Sequence, residues 1–114
     1  MPYKGSSKYH GQARALVTEA TGDGNDTTLD ADTQIVYADT NDSVLTVTVP
    51  EAAEVDGKSV TVQDAGGNAG TNNITISAGS GANVDGADQD LTISSNYGSA
   101  TITYSDDETG WFSQ

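Results

Sequence analysis

A four-residue phrase, apolar-Thr-apolar-polar, recurs along this chain and restricts what it can fold into. It reads Leu45-Thr46-Val47-Thr48, Val60-Thr61-Val62-Gln63, Ile74-Thr75-Ile76-Ser77 and Leu91-Thr92-Ile93-Ser94, with a weaker fifth copy at Ala100-Thr101-Ile102-Thr103. Alternation of this kind has the period of a β-strand with one buried and one wetted face. The central threonines are 15, 14, 17 and 9 residues apart, which departs from the fixed period of a solenoid. Gly, Asn and Asp fill the gaps, so the pattern predicts antiparallel strands joined by turns. Asn96-Tyr97-Gly98, between the last two copies, predicts a tight hairpin.

The flanks add to this frame. Residues 34–38, Gln34-Ile35-Val36-Tyr37-Ala38, form a short β-rich run, and Gly110-Trp111-Phe112 a last one. Residues 14–20 suit either a strand or a short helix, residues 21–33 a polar loop, and residues 51–55 a single helical turn. The expected fold is all-β: an antiparallel β-sandwich or flattened barrel of about seven to eight strands, with an extended N-terminal arm. One domain is the natural content of 114 residues.

Charge divides the chain. Seventeen acids against four bases give a net charge of −13. Lys4, Lys8 and Arg14 all precede the first acid, Glu19, so residues 1–18 carry +3 and residues 19–114 carry −16. The reading is a basic arm and lead-in over 1–18 and an acidic β-sandwich domain over 19–114. Such a body excludes free nucleic acid as a ligand, which needs a basic face. Acids are placed in nearly every expected loop, at Asp23, Asp26, Asp39, Asp42, Asp64, Asp85 and Asp106. That spread, with lysine depletion, reads as adaptation to molar salt, where a Debye length of about 3 Å screens crowded carboxylates. Apolar residues make up only 34%, so the core is small, and partner subunits, an ion or salt are expected to support it.

Catalytic constellations are weak. His10 is the sole histidine and lies in the arm, whereas a triad needs a rigidly held base. Asp88 with Asp90, and the run Asp106-Asp107-Glu108, supply paired carboxylates, but a glycosidase needs them across a cleft. No enzyme activity is expected, and catalytic residues are none. Asp23, Asp26, Asp30 and Asp32 raise an irregular calcium site as the alternative to a salt-adapted loop; Thr28 and Gln34 occupy positions where an EF-hand needs Gly and Glu. No cofactor is expected. The chain has no cysteine, so thiolate sites and disulfides are excluded. Phosphate cradles and membrane spans are equally without a sequence signal, as is a signal peptide. Trp111, Tyr97 and Tyr104 could stack on sugar rings, although a Trp beside Phe at the end of a β-domain is more often a core plug.

The order of short motifs over residues 58–111 carries a resemblance. Val60-Thr61-Val62-Gln63-Asp64 leads to Gly67-Asn68-Ala69-Gly70-Thr71-Asn72-Asn73-Ile74-Thr75-Ile76. Val84-Asp85-Gly86, Asn96-Tyr97-Gly98-Ser99 and Tyr104-Ser105-Asp106 follow, before Gly110-Trp111. This resembles a β-domain of virion surface proteins of tailed viruses, found in tail-fibre modules and in small capsid-decorating proteins. The resemblance implies a trimeric, non-enzymatic structural or adhesive unit. A chain beginning at Met1 and offering one domain plus an arm reads as a whole gene product. It suits a protein that studs a capsid better than a fibre. The expectation is therefore a capsid decoration protein on the virion surface of a virus of a halophilic archaeon. Its expected partners are the major capsid protein and two further copies of itself, with no nucleic acid or membrane. The anchoring residues are expected in the arm at Tyr3, Lys4, Lys8, Tyr9 and Arg14. The alternative is a tail-fibre or vertex (turret) adhesin for host surface glycan or S-layer.

Overall fold

From Leu45 to Val49 the apolar residues are buried and the threonines between them half-buried, as a two-residue period requires. The computed structural model describes residues 16–114, and the same alternation shapes most of it. Among these residues there are ten strands: β1 Val17–Thr21, β2 Asp26–Thr28, β3 Ile35–Asp39, β4 Leu45–Val49, β5 Ser59–Asp64, β6 Ile74–Ala78, β7 Asn83–Val84, β8 Leu91–Ile93, β9 Ser99–Ser105 and β10 Gly110–Ser113. Residues Glu51–Ala53 form one 3-10 turn. The fold is all-β, in two mixed sheets ordered β1-β3-β5-β9-β10-β7 and β2-β4-β6-β8.

The expectation of antiparallel neighbours is corrected. Five of the eight strand pairings are parallel. The first six strands alternate between the sheets, so each consecutive pair makes one coil and three coils stack. The chain then reverses: β8 runs antiparallel to β6, and β9 to β5. Partner offsets are 18 and 26 residues on one sheet and 20 and 29 on the other. Loops of unequal length absorb these offsets, which is why irregular spacing did not preclude coiling. Asn96-Tyr97-Gly98 is likewise not a hairpin tip, because β8 and β9 belong to different sheets. Residues 21–33, expected as loop, contain the three-residue strand β2, and a two-residue strand, β7, forms at Asn83–Val84.

Coiling gives the threonine phrase its meaning. Thr46, Thr75 and Thr92 lie in register across the four-stranded sheet, and Thr61 pairs with Thr101 in the other. The Thr61 and Thr101 hydroxyls are 2.8 Å apart, and those of Ser59 and Thr103 are 2.7 Å apart. Cross-strand hydroxyl pairs of this kind reinforce a sheet face modestly. The opposite faces of both sheets contribute to one buried cluster that includes Val36, Leu45, Val47, Val62, Ile74, Ile76, Ile102 and Trp111.

The winding requires close backbone approach at Gly22, whose N–H donates to the Asp39 carbonyl at 2.7 Å. A Cβ there would fall 2.0 Å from the Ser43 carbonyl oxygen. Backbone cannot rotate away as a side chain can, so Gly22→Ala is expected to cost about 3 kcal/mol. Thermal unfolding followed by circular dichroism should show a melting temperature lowered by roughly 15 °C. An unchanged transition would mean that the first two coils separate freely.

Candidate functional site

Val60, Val62 and Asp64 share one face of β5, so the alternation carries a carboxylate into the core, where Asp64 is fully buried. A buried charge is costly unless donors surround it. Here loops supply them. The Gly67 N–H donates to Oδ1 at 3.0 Å, and the Ala69 and Tyr97 N–H groups donate to Oδ2 at 3.0 and 2.9 Å. Burial pushes this carboxyl up, but the backbone N–H groups of Ala69, Tyr97, Gly67 and Asn68 outweigh it and hold the group below the usual carboxylate range. Asp64 is thus a buried tie between two loops, not the salt-adapted loop acid that its sequence context suggested.

What the tie positions is Tyr97. Its φ is 61°, a left-handed conformation that is a genuine outlier for a bulky residue. The Gln63 Nε2 donates to the Tyr97 carbonyl at 2.9 Å, so the peptide groups on both sides of this residue are held from β5. The ring lies over Gly67, where a Cβ would stand 2.5 Å from ring carbon Cζ. Tyr97 nevertheless remains 69% exposed. Strain of this kind persists only where surrounding structure over-determines it, and the product is a held backbone that presents an aromatic ring to solvent. Amides tie the adjoining loop residues: Asn68 Nδ2 donates to the Gly66 carbonyl at 3.0 Å and to Asn41 Oδ1, and Asn96 Oδ1 accepts the Gly70 N–H at 2.8 Å.

The other two aromatic candidates are core. Trp111 is fully buried and Tyr104 nearly so, with their rings edge-to-face at 5.2 Å. The Trp111 Nε1–H donates to Glu54 Oε2 at 3.2 Å, an oxygen that also accepts the Ser80 hydroxyl at 2.6 Å. Neither ring is available to a sugar.

The remaining carboxylates do not assemble into a site. Asp106, Asp107 and Glu108 are exposed at the turn between β9 and β10, and Asp88 and Asp90 are exposed in the segment before β8. Asp23, Asp26, Asp30 and Asp32 are exposed on the first coil. Among the described residues no three His, Cys, Asp or Glu side chains converge as a metal site needs. Asp85 has a structural task instead: it accepts the Ser113 N–H at 2.8 Å and the Ser113 hydroxyl at 2.6 Å. The Ser113 hydroxyl, then its N–H, hold the Asp85 carboxyl below the usual range. Tyr3, Lys4, Lys8, Tyr9, His10 and Arg14 lie outside the described residues.

Residue parity could have revealed Asp64, since it continues the apolar set of β5. The sequence marked Tyr97 as a turn residue and one of three aromatic candidates, but not its left-handed conformation, which depends on a donor and an acceptor from β5. No protein-family model matches the chain, and no curated protein is similar enough to match it.

Proposed function

We propose that this chain is a structural virion protein that decorates and stabilises a capsid surface, anchored by its basic N-terminal arm and without enzymatic activity. The observation that carries the reading is the division of charge, +3 over residues 1–18 and −16 over the remainder. The motif order over residues 58–111 supports it. So do sheet faces lined by hydroxyls and carboxylates that stay dispersed. In this reading the body is a sandwich-like trimer facing brine on a virus of a halophilic archaeon, and the arm docks on the major capsid protein. Removing residues 1–14 should abolish binding to capsid shells and leave a folded body. Normal decoration by the truncated protein would overturn the anchoring. Light-scattering mass should show a trimer in about 2–3 M salt that dissociates at low salt, where screening is weak.

One observation favours a second reading, an adhesin for host surface glycan or S-layer: the exposed Tyr97 on its held left-handed backbone. Tyr97→Asn suits a left-handed backbone, so it should leave the fold intact within about 1 kcal/mol. Under the adhesin reading the same change removes glycan binding at high salt. Binding that persists in the folded variant would eliminate Tyr97 as the contact.

A further inference from the structure

Among the described residues the first coil ends the stack on an uncovered edge. Among the described residues β1 pairs only with β3, and β2 only with β4. An edge strand presents unpaired N–H and C=O groups that can accept another strand. Leu16 and Val17 are each 50% exposed there. Beside them is a groove of about 400 Å³ whose lining includes Leu16, Val17, Thr18, Asp30, Asp32 and Thr33. Residues 16–33 hold five acids and no base, whereas residues 1–15 hold three bases and no acid.

We propose that residues 1–15 of one copy seat on the first coil of a second copy, adding a strand beside β1. The match is chemical on two counts. Lys4, Lys8 and Arg14 complement Asp30, Asp32 and the exposed Glu19, and Tyr3 and Tyr9 offer apolar surface to Leu16 and Val17. The entry of the chain favours a neighbour over the same copy. The Leu16 carbonyl accepts the Gln34 and Ile35 N–H groups at 2.8 and 3.2 Å, and its N–H donates to Gln34 Oε1 at 3.0 Å. That clamp holds Leu16 in line with β1, so lying beside β1 in the same copy would require a reversal directly before Leu16, which an arm from a second copy does not. Fifteen extended residues reach about 50 Å, while pairing along β1 takes about 17 Å. The arm is therefore long enough to meet both a neighbour and a shell. Strand addition of this type draws affinity from main-chain hydrogen bonds and selectivity from side chains.

The inference concerns copies of this chain in solution and is tested without capsids, so its failure leaves the capsid reading standing. Light-scattering mass of the full chain and of the chain lacking residues 1–15 is compared in about 1 M KCl, where contact ion pairs still act. A labelled synthetic peptide of residues 1–15 is then titrated into the truncated body. The full chain should be oligomeric and the truncated one monomeric, and the peptide should bind. Asp30→Asn with Asp32→Asn in the body should weaken the peptide about tenfold, which is about 1.4 kcal/mol. Should truncation impair folding, Lys8→Glu with Arg14→Glu in the full chain tests the same contact and should dissociate the oligomer. Equal masses with and without the arm, or a peptide that does not bind, overturn the proposal. A monomeric full chain whose truncated body binds peptide also overturns it, by placing the arm on its own copy.

Discussion

Asp64→Ala should leave the protein largely unfolded, or lower its melting temperature by tens of degrees. Three backbone N–H groups lose their acceptor in a site closed to water, and hydrogen bonds to a charged group are worth about 1.5–3 kcal/mol each. A combined loss of roughly 4–6 kcal/mol is comparable with the whole stability of a small domain. Asp64→Asn keeps one acceptor oxygen but turns an NH2 toward other donors, so it should cost about half as much.

The pH dependence has a definite sign. The folded Asp64 carboxyl titrates below its unfolded value, so folding favours the charged form. Its contribution is complete above the unfolded value of about 4 and disappears as pH falls through the lower folded value. Guanidinium melts of wild type and Asp64→Asn should therefore show a gap at neutral pH that narrows in acid. Subtracting the variant also removes the background of the other carboxylates, whose mutual repulsion weakens in acid. A gap equal at both pH values would mean that the charge of Asp64 does not hold the loops.

Trp111→Ala is the second severe change, with an expected cost of about 3–5 kcal/mol for emptying a large buried site. The ring fills the core beside Tyr104, and its N–H is satisfied by Glu54. Trp111→Phe keeps an aromatic ring and removes the donor, so about 1–2 kcal/mol should be lost. Denaturant midpoints measured by far-ultraviolet circular dichroism test both variants. In the wild type the sole tryptophan provides an independent fluorescence signal for the same transition. If Trp111→Ala unfolded at the wild-type midpoint, the ring could not be the core plug described here. The prediction also bears on the adhesin reading. Any loss of ligand binding in a Trp111 variant should follow loss of folding, whereas Tyr97→Asn should separate the two.

Most strands and their faces were legible in the residue order, the very short β2 and β7 excepted. Alternation at Leu45–Val49 or Ile74–Ala78 is a local property, because a strand's side chains point up and down whatever lies beside it. The sequence also determined the polarity of the outer faces and the separation of the basic arm from the acidic body, which are counts along the chain. Trp111 as a core plug was legible for the same reason: a large apolar ring on a β-strand must be covered.

Which strands are neighbours was not legible in this way. A period of two residues carries no information about whether the next strand joins the same sheet or the facing one, or about the direction in which its partner runs. That choice depends on pairing and packing between segments 18 to 29 residues apart. It turned expected hairpins into coils and the recurring threonine into cross-sheet ranks. The same long-range decision brought β5 to the loop at 94–98, buried Asp64 among backbone donors and fixed Tyr97 outward. A carboxylate in a strand is a local fact; the donors that make its burial tolerable come from elsewhere in the chain.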